Sequence, residues 1–291
     1  MAWIMSEKLL VGGQAVLEGV MMKSKHYVSI VVKNYNKKIV TKNITLSIKQ
    51  PWMDWLFVRG VVNLFEMLVI GIKALIWSAN QATSEKEKIS SKDVTLSMVL
   101  AVVFAVCLFV LIPFFLARLI TTNNGFIFNL LDGIIRVIIF MVYLIMISLM
   151  KDVKTLFEYH GAEHCAVNCY ESEKKLTLEN AEKFTTVHPR CGTSFLIIVL
   201  IISILVFSLI PSSTMIIRLL GRIILLPVIA GISYEILKLS AKFRHNKILS
   251  AVVYPGILIQ KITTQKPNKE QIKIALCALQ NVLILEKRKN K

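Results

Sequence analysis

The stretch VTLSMVLAVVFAVCLFVLIPFFLARL, Val94 to Leu119, carries no charge before Arg118. A bilayer's hydrocarbon is crossed by about 20 apolar residues in a helix, so this stretch reads as a transmembrane helix. Three more runs of the same kind follow: Asn129 to Met150, Ser194 to Leu209, and Ile216 to Leu237. In the second of them, Asp132 and Arg136 are one turn apart and read as a mutually neutralising i, i+4 pair; lining a polar pathway is the alternative. Composition agrees with lipid as the solvent. Of 291 residues, 55% are apolar and 18% charged, against about 25% charged in an average soluble domain.

Orientation follows from Lys and Arg. The connections Thr121 to Leu131 and Leu209 to Ile217 carry no charge. The other flanks hold Lys86, Lys88 and Lys92, then Lys151 and Lys154, then Lys238, Lys242, Arg244 and Lys247. The positive-inside rule therefore puts both termini and residues 151–193 in the cytoplasm of a multi-pass cell-membrane protein. Arg218 and Arg222, on the outer side, run against it.

Outward from the spans, the chain divides into five segments. Residues 1–93 form a cytoplasmic N-terminal region, 94–150 a first transmembrane hairpin and 151–193 a cytoplasmic connection. Residues 194–237 form the second transmembrane hairpin and 238–291 a basic tail. In the first segment, the glycines of Gly12 to Met22 suggest tight turns. His26 to Lys33 and Ile39 to Ile48, around a turn at Asn34 to Lys38, read as a small β-hairpin. Pro51 then opens a long helix. From Trp52 to Trp77 its polar residues Arg59, Glu66 and Lys73 recur every seven residues and share a face. That suits a helix lying in the membrane interface; packing flat against the spans is the competing reading. Met1 to Leu10 lacks the pattern of a cleavable signal. In the tail, Pro255-Gly256 and Pro267 break the chain, and Lys269 to Lys287 forms an amphipathic helix through Ile272, Leu276, Leu279 and Leu283. The fold class expected is mainly α: a polytopic helical membrane protein with about four transmembrane helices, an interfacial helix and a small N-terminal β-hairpin.

The net charge is +17 and uneven. Residues 238–291 hold 12 basic and 2 acidic side chains, which reads as attraction to anionic lipid beside the bilayer. No nucleic-acid motif is present, so that partner ranks lower. The five cysteines form no Cys-x-x-Cys pair, and the odd number argues against a disulfide framework.

Chemistry concentrates in the connection 151–193. His160 and His164 fall one turn apart on a helix from Lys154 to Glu171, with Glu163 beside them. Two imidazoles at i, i+4 can grip one divalent metal, and the adjacent carboxylate can act as general base. The spelling His-x-x-Glu-His also belongs to inverted-motif zinc peptidases. A further ligand can come from Glu179 or Glu235. The bland alternative is two solvated histidines beside a helix-stabilising Glu. His188 and Cys191 end the same segment, and imidazole with thiolate favours zinc. Cys191 reads as a ligand or buried residue ahead of a nucleophile with His188 or His164 as base. Cys165 and Cys169 read as packing residues. Glu235 returns to the same membrane face, where it can join the site or pair with Lys238. Gln14 and Glu18 can project toward it, or belong to a glycine-rich turn.

Several motifs in order carry a resemblance. They are Gly12-Gly-Gln-Ala-Val-Leu-Glu-Gly-Val-Met-Met22, Arg59-Gly60, Tyr159-His-Gly-Ala-Glu-His164, Tyr170-Glu171, Leu176-Thr-Leu-Glu-Asn-Ala181, His188-Pro-Arg-Cys-Gly-Thr-Ser194 and Ser233-Tyr-Glu235. Together they resemble the YqhQ-like bacterial membrane proteins, the domain-of-unknown-function 1385 family, over about Gly12 to Pro267. The resemblance implies a metal-dependent enzyme without naming a substrate. It implies that His160, Glu163, His164, His188 and Cys191 belong to the family pattern, together with Gln14, Glu18, Arg59, Glu171, Glu179 and Glu235. Cys165 stands where many relatives are expected to have Lys.

Overall fold

In the computed structural model, residues 9–84, 90–121, 125–208, 215–242 and 246–289 are described; side chains 91, 215–219, 223, 241–242 and 247–250 are not. The signal reading at the N-terminus therefore lies largely outside the described residues. So do Lys86, Lys88 and Arg244 of the orientation argument, and the side chains of Arg218, Lys242 and Lys247.

The N-terminal hairpin is half of a larger sheet. Strands β1 (Gly12–Val16), β2 (Gly19–Lys23), β3 (Tyr27–Lys33) and β4 (Ile39–Thr45) pair antiparallel in chain order. The glycines expected to make turns lie in strands, and no described glycine has positive φ. The left-handed residue of the first hairpin is Glu18, at φ 54°. Gly19 is needed for close approach instead: a Cβ there would meet Val32 Cα at 2.7 Å as well as the Val31 carbonyl.

Both faces of the sheet are covered. Val20, Met22 and Val31 pack against helices α5 (Lys151–Glu171) and α10 (Lys269–Lys289). Val16, Met21, Val28, Ile30 and Val32 pack against helix α1 (Val58–Ala82) through Met67, Ile70, Ala74 and Trp77. The amphipathic face of α10 is thus taken by protein: Ile272, Ile274, Leu276, Leu279 and Val282 are buried. Burying one such side chain contributes about 2 kcal/mol, so this face serves the core of the protein.

Among the described residues, four helices are long and apolar enough to cross a bilayer: α1, residues 92–120, residues 126–148, and residues 220–240. The second is one rod of α2 (Ser91–Val106), a π-turn at Cys107–Leu111 and α3 (Ile112–Ile120). Pro113 has no N–H to give the preceding turn, which accounts for the widening just before it. Helix α4 (Phe126–Ser148) ends at Leu149-Met150, so α5 starts anew rather than continuing it. Helix α7 (Gly192–Ser208) has 17 described residues, at the short end of what can span, and α8 covers Met215–Lys242. Helix α1 meets the length criterion that the interfacial reading set aside, yet it lies along the sheet, with Glu66 contacting Lys23 (3.3 Å) and Lys49 (2.9 Å).

The sequence places a break at Pro255-Gly256, but helix α9 (Lys247–Thr263) runs through both. Proline removes one hydrogen bond, and the neighbouring packing holds the helix together. Gly256 is there because α9 crosses α7 closely: a Cβ would meet Ser194 Cα at 2.5 Å. The chain does break at Pro267, between α9 and α10. The remaining short helix, α6, is Leu178–Ala181.

The last turn of α10 is fastened to the sheet by a buried carboxylate. Glu286 accepts hydrogen bonds from Ser24 Oγ (2.6 Å) and His26 N–H (3.2 Å), and contacts the His26 ring. Burial alone would raise its pKa. The hydrogen bonds from Ser24 and His26 outweigh that and hold it below the ordinary carboxylate value. A depressed folded-state pKa stabilises above the unfolded value, and that stability disappears as pH falls through the folded value. The thermal midpoint of the purified protein should therefore fall on acidification below about pH 4.5. Glu286→Ala, which strands His26, should lower stability by about 3 kcal/mol at neutral pH, measured by denaturant titration of tryptophan fluorescence. It should also flatten that acid dependence.

Candidate metal centre

Helix α5 presents His160 and His164 on one face, and each imidazole is fixed by its Nδ1. His160 Nδ1 donates to the Thr263 carbonyl at 2.8 Å, and His164 Nδ1 donates to the Thr186 carbonyl at 2.5 Å. A carbonyl only accepts, so neutral rings must carry their protons on Nδ1. That leaves a lone pair on each Nε2. The third member is Cys191, just before α7, whose Sγ lies 3.3 Å from His160 Nε2. One ligand atom from each of His160, His164 and Cys191 lies within 4.8 Å of the others. Backbone carbonyls that orient imidazoles in this way are the usual support of metal-binding histidines. The Thr193 backbone N–H points at Cys191 Sγ from 3.4 Å, which suits a thiolate ligand at a helix N-terminus. Two imidazoles and one thiolate are a donor set that fits zinc.

Three pieces of chain hold the group in place. Gln260, fully buried on α9, accepts the His188 N–H (2.8 Å) and donates to the His188 carbonyl and Ser194 Oγ (both 2.9 Å). Gln265 N–H donates to the Phe157 carbonyl at 3.0 Å. This strap lies so near α5 that a Cβ on Gly161 would strike the Gln265 carbonyl. Strand β1 closes a third side: a Cβ on Gly13 would meet Glu163 Cγ at 2.8 Å and Oε1 at 2.9 Å.

Glu163 is buried, with Oε2 3.4 Å from His164 Nε2. Burial pushes its carboxyl pKa up, while His160, His188, the Gly13 N–H and Arg190 pull against that. Burial lowers the pKa of His164, opposed by Cys191, which favours the neutral, ligating form of the ring. His188 stands behind His164, with ring centroids 5.7 Å apart; its Nε2 is 3.4 Å from Glu171 Oε1, and Glu171 also grips Arg190. Cys165 and Cys169 hydrogen-bond to the carbonyls of Phe184 and Lys175. Burial holds Cys165 as a thiol, its pKa pushed up to about 11.

The other sequence-derived residues do not join the group. Glu235 is bound by Arg59, with Nε to Oε1 at 2.7 Å and Nη2 to Oε2 at 2.5 Å; that pair ties α1 to α8. Glu179 is exposed on α6. Gln14 faces Gly71 of α1, and Glu18 accepts from the Tyr159 hydroxyl at 3.3 Å. The sequence reading missed Gln260, Thr263 and Thr186. A lone Gln in the apolar turn Ile257-Leu-Ile-Gln260 was the available signal for the first; the two carbonyls leave no trace in side-chain identity.

The chain matches the family described as "Protein of unknown function (DUF1385)" over residues 55–284, which takes in His160, Glu163, His164 and Cys191. It is 33% identical to the uncharacterized protein YqhQ of Bacillus subtilis (strain 168), across 94% of this chain and 92% of that protein. No solved structure matches it.

Gly161→Ala tests the strap. The added methyl has to displace the backbone that carries the Thr263 carbonyl. A loss of about 1–3 kcal/mol is expected in a thermal or chemical denaturation series. Ala162→Gly, which removes a buried methyl from the core beside the sheet without touching the strap, should cost about 1–2 kcal/mol.

Proposed function

The chain belongs to the DUF1385 family, and we propose that this member holds zinc with His160, His164 and Cys191 and uses it for hydrolysis at a membrane face. The carrying observation is the pair of backbone-locked imidazoles whose Nε2 atoms approach one cysteine sulfur. Three protein ligands leave a coordination position open, as in catalytic rather than structural zinc sites. Zinc bound there supplies Lewis acidity toward a carbonyl or phosphoryl oxygen. Glu163 takes up and returns the proton at Oε2, the oxygen beside His164. Burial pushes its carboxyl pKa up, which suits a group that takes up a proton. Glu171 steadies Arg190 and His188 behind the centre.

Burial favours a second reading, a structural zinc clasp. Glu163, His164 and Cys191 are all buried. The group also joins α5 to the start of α7, with the end of α9 attached through Thr263.

The multi-pass character rests on the four long apolar helices. On the positive-inside argument, this reading puts both termini and residues 151–193 in the cytoplasm. It lays α1 along the membrane surface, supported by its contact with the sheet and by Phe65 and Leu68 exposed on its other side. Lys287, Arg288 and Lys289, exposed at the end of α10, are the groups that would meet anionic lipid.

Metal analysis of the purified protein should find about one zinc per chain, and none in His160→Ala/His164→Ala. Metal-free wild type would end both readings. Glu163→Gln separates them. Hydrolysis predicts retained zinc and thermal midpoint, with activity in a panel of chromogenic esters and amides, or complementation of a deletion strain, reduced about 100-fold or more. Full activity in that variant removes Glu163 as the proton carrier, and zinc-loaded wild type with no hydrolysis leaves only the clasp.

A further inference from the structure

At the far end of α7 lies a second cluster of charge that the zinc centre does not use. Asp132 and Arg136 of α4 were expected to neutralise each other. They do pair, Nη2 to Oδ2 at 2.7 Å, but Arg222 of α8 shares the same carboxylate, with Nη1 to Oδ1 and Nη2 to Oδ2 both at 3.1 Å. All three side chains are buried: 2% of Asp132, 9% of Arg136 and 4% of Arg222 is exposed. From Cys191 to Phe207 is 16 residues of helix, or about 24 Å, so this cluster and the zinc centre face opposite ends of the bundle.

The cluster has a charge excess. Guanidinium groups keep their charge in proteins, so two arginines and one aspartate leave at least one positive charge uncompensated. The apolar segments themselves offer no second carboxylate to balance it. Asp132 is the only acidic residue between 94 and 150, and Glu235, held by Arg59, is the only one between 194 and 242. The guanidinium of Arg222 lies 5.1 Å over Phe114 and 5.4 Å over Phe207, and that of Arg136 lies 5.5 Å over Phe207. Aromatic faces attract cations, but they do not neutralise one in an apolar surround. Donors are also spare. Arg136 Nε has no hydrogen-bond partner among the described residues, and Arg222 Nη2, although within ion-pair distance of Asp132 Oδ2, makes no hydrogen bond there.

Buried guanidinium groups with free N–H atoms and excess charge match the fork geometry of a phosphate-type oxyanion. We infer that Arg136 and Arg222, spaced by Asp132, form an oxyanion-binding site inside the helix bundle at the end remote from His160 and Cys191. Asp132 is six residues into α4, about 9 Å along the axis, within reach of a lipid headgroup or of an ion entering from that side. Asp132 keeps the two arginines together when the site is empty, and the oxyanion takes the remaining N–H groups. The inference does not depend on the zinc reading.

The test uses the full chain purified in a zwitterionic detergent, with its thermal midpoint followed at constant ionic strength. Inorganic phosphate is titrated against chloride, and mixed micelles of phosphatidylglycerol are compared with phosphatidylcholine. A saturable upward shift with phosphate identifies a free oxyanion. A shift with phosphatidylglycerol alone, with that lipid retained in native mass spectrometry, identifies a headgroup. Arg136→Gln and Arg222→Gln should each abolish the shift, and Arg222→Lys, which keeps charge but not the fork, should retain part of it. Lys287→Ala/Arg288→Ala/Lys289→Ala should leave it unchanged. Equal wild-type midpoints in all four conditions overturn the proposal, as does a shift that survives in either Gln variant. If neither Gln variant folds, the wild-type titrations and Arg222→Lys decide, a full-sized shift in Arg222→Lys counting against it.

Discussion

Two backbone carbonyls, of Thr263 and Thr186, decide which way the imidazoles of His160 and His164 present themselves. The rest of the architecture serves that arrangement. Thr263 ends α9, and α9 is held to the His188 loop and to α7 by the buried amide of Gln260. The strap beyond it approaches α5 at Gly161, where no side chain would fit. Strand β1 covers Glu163 from the other side, again at a glycine. The apolar helices and the small sheet are thereby joined through α5 on one face of the sheet, as they are through α1 and its Arg59–Glu235 pair on the other. Helix α5 carries His160 and His164 of the candidate metal group and also packs into the core of the sheet.

Much of the membrane architecture was legible because apolar length is a strong signal. Val94 to Leu119 and the helix after it could be read from composition alone, and His160, His164 and Cys191 could be picked out as metal-ligand types. The sheet was legible only in part. Strand β2, Gly19 to Lys23, has both faces covered and so shows no alternation, and unlike β3, also covered on both faces, it has no run of β-branched residues to mark it. Its glycines looked like turn formers, because sequence does not distinguish a glycine needed for positive φ from one needed for close approach. Pro255 misled for a related reason: its local penalty is real, but packing of α9 on α7 prevails. Glu235 was equally plausible as a ligand or as a salt-bridge partner, and its actual partner, Arg59, lies 176 residues away.

Charges within the apolar segments divide into two kinds. Arg59 and Glu235 form a one-to-one pair with two hydrogen bonds, joined by Asn63 donating to the Tyr234 hydroxyl at 2.9 Å. That pair fastens α1 to α8, and its charges cancel. The Arg136–Asp132–Arg222 cluster crosses between α4 and α8 without cancelling. Fixing helix positions requires only pairing, so the first needs no further explanation. The unequal cluster departs from what stability alone would select in a low-dielectric surround.

The pairing of Ser24 with Glu286 joins residues 262 apart in the chain. His160 likewise depends on a carbonyl 103 residues downstream. Helix α10, which completes the core over β2, β3 and α5, is also the last described element. During synthesis, then, the sheet and α5 leave the ribosome with one apolar face uncovered, and the ligand set lacks Cys191 and its Thr263 support. Neither gap closes until the membrane segments have been delivered. Helix α10 therefore closes the core over the first-made strands only after the apolar helices between them have been made.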